Sequence, residues 1–252
     1  AKSIEAEKLQ SRQPIRRFMK WLSVGAFRLL TDFEIIGGEN FPTTGPLIVV
    51  GNHFSFVDPA ALVRVAPSSI DFLGGAINPH APKILTWIPR IWGFLPVYRG
   101  TGSKFGLQEA EKVINRGGIL GIFPEAGNWA NVLRPPRPGA AYLAAMTGAQ
   151  ILPVGMDGME EVFPSLAKFR RAKVTVNIGK PFGPFNVTGK GRERREQINA
   201  IGDEMMSQIA ALIPAEKRGH YSDDPAVREA AKGTEAYPWQ EKREGEVEGQ
   251  VM

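Results

Sequence analysis

The stretch LIVVGNHFSFVDPAALVRVA, residues 47–66, holds a strand, a turn and a helix start in immediate succession. LIVVG is a short, uninterrupted, β-branched apolar run closed by Gly, the pattern of a strand buried on both faces. Asp58-Pro59 then opens a helix, with Pro at the first helical position. Between them, NHFSF lies just past the carboxyl end of a buried strand, where α/β sheets build their sites. Outward from this stretch the alternation repeats. FEIIG precedes it. IDFLGG (residues 70–75), GFLPVYRG (93–100), GILGIFPE (118–125), ILPVG (151–155) and KVTVNIG (173–179) read as further strands. Helical patterns fall at residues 14–30, 82–92 (broken at Pro89), 104–115, 139–147 and 192–212. The alternation predicts a single α/β domain with a central mixed, largely parallel sheet flanked by helices, plus an N-terminal amphipathic helix. The expected boundaries are a helical segment at 1–32, the main domain at 33–214 and a polar, charged tail or loosely docked extension at 215–252. No internal repeat is evident.

Composition narrows the function classes. The chain has 252 residues, 43% hydrophobic and 23% charged, as a globular protein does. It has no Cys, which excludes disulfides, thiolate metal sites, iron–sulfur clusters and a cysteine nucleophile. The net charge of +5 is uneven: from residue 216 onward the chain carries 6 Lys/Arg against 9 Asp/Glu, so the part before it is strongly basic. A basic surface suits nucleic acid, an anionic membrane or an anionic substrate. Nucleic acid is disfavoured, because Lys/Arg clusters interleaved with aromatics are missing outside the N-terminal helix. No metal or prosthetic group is indicated.

Residues 14–30 place Ile15, Phe18, Met19, Leu22, Ala26 and Leu29 at helical spacing, with Arg16, Arg17, Lys20 and Arg28 largely on the remaining arc. Such a cationic helix with Trp21 and Phe27 can lie in a membrane interface. The bland alternative is a surface helix whose apolar stripe packs on the core. Two uncharged runs, 40–57 and 138–156, are interrupted by Pro, Gly and polar residues and do not read as membrane spans. The opening AKSIEAEKLQ lacks the apolar core of a signal peptide.

Of three His, His53 is informative, since it follows the buried strand and precedes Asp58 by five positions. A carboxylate there can orient an imidazole and stabilise its protonated form. Asp58 is equally a good helix N-cap, which alone would account for it. Ser55 is nearby but lacks a nucleophile-elbow setting, so a His–Asp pair would draw its nucleophile from the substrate. Three further groups stand out. Glu125 ends a buried strand in IFPEAGNW, with Gly127 allowing close backbone approach. Arg99 ends a strand before a Gly-rich helix start, a plausible phosphate cradle. Arg134 and Arg137 flank prolines in LRPPRPGAA, on a stiff loop. His80 and His220 read as structural or solvated.

In order, these pieces resemble the four blocks of the glycerolipid (lysophosphatidate) acyltransferase family. Asn52-His53-FSFV-Asp58 matches Asn-His-x4-Asp, and GFLPVYRG with Arg99-Gly100 matches the second block. FPEAGNW matches Phe-Pro-Glu-Gly-Thr-Arg, and ILPVG around Pro153 matches the fourth. The resemblance covers roughly residues 30–180. It implies that His53 takes a proton from an acceptor hydroxyl attacking an acyl thioester on CoA or acyl carrier protein, with Asp58 orienting His53 and no acyl-enzyme. The implied acceptor is a lysophospholipid, typically 1-acylglycerol 3-phosphate, at a site with Asn52, Arg99, Gly100, Glu125 and Gly127. The implied setting is the cytoplasmic membrane surface, reached through residues 14–30. The third block departs from the pattern: Gly127-Asn128 replaces Thr-Arg, and Ala126 replaces the first Gly. Arg134 or Arg137 then substitutes for the missing Arg, or the acceptor is another lipid alcohol, such as a glycolipid or amino-lipid. A lipid-binding protein without turnover and a hydrolase using Ser55 or water are the other readings.

Overall fold

A computed structural model of the chain describes residues 2–75, 87–97 and 104–236. Its centre is a seven-stranded sheet in the order β1-β7-β6-β2-β5-β3-β4. The strands are β1 (Thr31–Ile36), β2 (Leu47–Gly51), β3 (Ile70–Gly75), β4 (Leu95–Val97), β5 (Ile119–Ile122), β6 (Gln150–Asp157) and β7 (Ala172–Ile178). All neighbours pair parallel except β6 and β7. This is the mixed, largely parallel sheet expected.

The central strand β2 shows why the sheet is covered twice. Its side chains alternate, Leu47 and Val49 into one apolar cluster and Ile48 and Val50 into the other. A strand apolar at every position cannot leave a face wet, so helices cover both. On the Leu47 side lie α1 (Lys2–Leu30), α2 (Asp58–Val65) and α3 (Ile88–Trp92), through Phe27, Leu62 and Trp92. On the Ile48 side lie α4 (Lys104–Asn115), α5 (Gly139–Thr147) and α7 (Gly191–Ala210), through Val113, Leu143 and Ile209. The short α6 (Val162–Ala167) leads into β7.

Helix α1 runs through Pro14 rather than starting near it. Of the two readings of its apolar stripe, the structure turns the stripe away from the core. Phe27 is buried, and so is Arg16, about three turns earlier, donating to Trp92 O (2.9 Å), Ser69 Oγ (3.2 Å) and Asp71 Oδ1 (2.7 Å). Ser23 donates to Ala60 O and Lys20 to Ala66 O. The stripe of Ile15, Phe18, Trp21, Leu22 and Leu29 faces outward, with Trp21 68% and Leu29 73% exposed. No described helix is long and apolar enough to cross a membrane.

Residues 215–236, whose polar composition suggested a tail or a loosely docked extension, dock on the domain. Lys217 O and His220 N bracket Leu133 through backbone hydrogen bonds. Lys217 also pairs with Asp157 and Glu160, and Ala231 of α8 (Pro225–Ala231) is buried. The expected helix at residues 82–92 falls within the described residues only from Trp87 onward.

Candidate functional site

Parallel pairing in register brings the carboxyl ends of β2 and β5 side by side, with β6 flanking β2. His53 leaves the first strand and Glu125 the second, so the two loops meet at one edge of the sheet.

The His53 ring is nearly buried, with Nδ1 2.9 Å from Asp58 Oδ2. The same oxygen accepts from Phe54 N (2.9 Å) and Ser55 N (2.8 Å). Asp58 therefore reaches back over the turn to the histidine loop and makes no cap bond on α2. The N-cap alternative thus fails on geometry: the carboxylate organises the loop before the helix, not the helix start. Asp58 is fully buried, and its other oxygen has no hydrogen-bond partner among the described residues. Burial pushes its carboxyl upward, while the His53 ring and the two amide donors pull the other way. With Nδ1 directed at a carboxylate, Nε2 is left as the imidazole's proton acceptor. Phe123 stacks on the ring with centroids 4.3 Å apart.

Several residues expected to hold substrate turn into the protein instead. Asn52 pairs its amide with β6, donating to Met156 O (2.8 Å) and accepting from Met156 N (2.7 Å). It clamps the histidine loop to the neighbouring strand. Glu125 is likewise sealed: Oε1 accepts from His53 N (2.8 Å), and Oε2 accepts from Arg134 N and Nε (3.2 and 3.1 Å). Burial pushes its carboxyl up to about 7, against the pull of Arg134 and these N–H donors. Arg134, 1% exposed, also donates to Gly127 O and lies over the Trp129 ring at 3.8 Å. Glu125 and Arg134 thus brace the histidine loop through its backbone. Gly127 is required by packing, since a Cβ there would enter the Trp129 ring. The left-handed backbone of this turn falls on Ala126, with φ 60°. Arg137 is exposed, its side chain donating to Glu235 O. Ser55 is buried beside His53. Arg99, Gly100 and His80 lie outside the described residues.

Sequence reasoning missed Phe123 and Trp129, although both stand in quoted stretches. An aromatic immediately before Pro-Glu, just past the strand beside the histidine loop, was the available signal.

Fold and site together define an α/β protein with an oriented His–Asp pair at the carboxyl edge of a parallel sheet. The chain belongs to the acyltransferase family, whose model matches residues 32–157, the segment carrying both loops. Among curated relatives, it is 26% identical over 169 residues to a chloroplastic 1-acyl-sn-glycerol-3-phosphate acyltransferase of Brassica napus, covering 64% of this chain and 48% of the relative. It is 26% identical over 132 residues to the 1-acyl-sn-glycerol-3-phosphate acyltransferase of Borreliella burgdorferi, covering 51% and 52%. The chain spans about half the length of the curated relatives it matches. The crystal structure of the 1-acyl-sn-glycerophosphate acyltransferase PlsC from Thermotoga maritima shares the fold, with TM-score 0.54 and 22% identity over 79% of this chain and 81% of that one.

Proposed function

We propose that the protein transfers a fatty acyl group from an acyl thioester, on CoA or acyl carrier protein, to the hydroxyl of a lysophospholipid, with 1-acylglycerol 3-phosphate the first choice. The observation that carries this reading is the aim of Asp58: a buried carboxylate anchored by two backbone amides and directed at His53 Nδ1. In the reaction, Nε2 takes the acceptor's hydroxyl proton as the oxygen attacks the thioester carbonyl. Asp58 stabilises the imidazolium. The tetrahedral intermediate then expels the thiolate, which takes the proton back from Nε2. The nucleophile belongs to the acceptor, so no acyl-enzyme is needed, and the co-substrates require no resident cofactor. The apolar stripe exposed on α1 supports a peripheral position on a membrane, where both the acceptor and the acylated product reside. The cytoplasmic side is the proposed face.

His53→Ala is expected to lower acyl transfer by roughly 10²–10⁴-fold while the protein still folds. Transfer at the wild-type rate would end this reading, and release of free acid without acylated acceptor would favour hydrolysis.

A second acceptor class has an observation of its own. Asn128 stands where the family's third block carries Arg, and Arg134 is committed to Glu125, Gly127 and Trp129. Both favour a lipid alcohol other than a phosphate monoester, such as a glycolipid or amino-lipid. Thioester consumption measured across a panel of lysolipids and other lipid alcohols separates the two.

A further inference from the structure

Phe169 is 98% exposed, the most exposed of the large apolar side chains in the described residues. It sits in the turn after α6, in the left-handed region at φ 54°, a position that helix ends usually give to Gly or Asn. Backbone hydrogen bonds fix the turn: Lys168 N and Arg170 N donate to Ser165 O, and Phe169 N donates to Leu166 O. The chain thus holds a bulky ring out from the surface, in a backbone conformation costly for it, where no intramolecular packing recovers the cost.

The surroundings say what the ring is held toward. Lys168, Arg170, Arg171 and Lys173 flank it and are all exposed, while Phe163 and Leu166 of α6 add half-exposed apolar surface. Of the acids near this turn, Asp32 is paired with Arg171 and Glu160 with Lys217, while Glu34 and Glu161 are exposed. Arg171 also donates to Arg28 O and Thr31 O, which joins the turn to the end of α1 beside the exposed Leu29. An aromatic tip ringed by cations matches a surface with an apolar interior and anionic headgroups. A folded acidic partner would match the cations but offers nothing for a ring standing alone.

We infer that the turn at residues 168–171 is a second membrane contact, in which Phe169 enters an anionic lipid bilayer while the adjacent cations engage headgroups, next to the outer stripe of α1. It rests on the membrane reading of α1 and adds the point that sets how the domain sits on the bilayer. Full-length protein is sedimented with phosphatidylcholine vesicles, with and without phosphatidylglycerol. Phe169→Ser is expected to lower partitioning into the anionic vesicles by roughly tenfold with an unchanged melting temperature, since the ring packs on nothing in the fold. Lys168→Gln with Arg170→Gln is expected to lower it by a similar factor, and only for the anionic vesicles. Because the chain has no Cys, Phe169→Cys carrying a polarity-sensitive dye reports this site alone. Its emission should shift to the blue with anionic vesicles, while the same dye at Gln208→Cys on α7 should not respond. Undiminished binding of Phe169→Ser, alongside a loss in Phe18→Ser with Trp21→Ser, would overturn this contact and leave the helix reading intact. Failure of the wild type to bind any vesicle would remove both.

Discussion

Glu125 bears on His53 without touching its ring. Its carboxylate holds the backbone N–H of position 53, and Arg134 and Trp129 in turn hold the carboxylate. Burial raises Glu125 from its ordinary 4.5 to about 7. The folded chain then keeps a proton that the unfolded chain releases. The group's contribution to stability is complete below pH 4.5 and is lost as pH climbs through about 7. Glu125→Gln has nothing to titrate there. Wild type should lose roughly 3 kcal/mol relative to that variant across the interval, read from urea midpoints. The fixed cost of the amide cancels in the slope, and a slope of opposite sign would mean that the carboxylate stays ionised against Arg134. None of this was legible in sequence. A glutamate ending a strand is visible, but its donors include the amide of a residue 72 positions away. His53 and Asp58 were legible because their partnership closes within five positions.

The elements whose covering is uniform were read nearly to the residue. The strand at Leu47–Gly51 and the helices Lys104–Asn115 and Gly139–Thr147 carry their periods and turn signals within themselves. The first helix was read with two destinations open for its apolar stripe, a membrane interface or the core, because periodicity serves both. Buried polar groups turn most of that stripe outward: Arg16 finds Asp71, Ser69 and Trp92 O on segments more than fifty residues away. Arg16→Ala should cost about 3 kcal/mol in urea unfolding, because it leaves a buried carbonyl unpaired and Asp71 with Arg116 alone. The neighbouring Arg17→Ala, at an exposed position, should stay within about 0.5 kcal/mol of wild type. Equal effects would mean that the helix is held by apolar packing alone.

Across the whole molecule, the segment after Ala215 belongs to the domain. It brackets Leu133 on both sides, and Thr234 O receives the Trp129 indole N–H at 2.8 Å. That ring supports Arg134, and through it Glu125 and the histidine loop. Truncation after residue 214 should therefore lower both the melting temperature and acyl transfer relative to the full chain. An unchanged melting temperature would show the docking to be incidental. Polar composition concealed this because the segment attaches mainly through backbone hydrogen bonds and one lysine, which leave no hydrophobic period to detect.

Phe123, flat against the imidazole, restricts how the ring of His53 can turn. A ring pinned at one nitrogen and pressed along one side cannot roll over to exchange its two nitrogens without first prising the aromatic pair apart. Under the proposed acyl transfer, each cycle starts from the same tautomer and the same lone pair, with no reorientation of the ring between one product and the next alcohol.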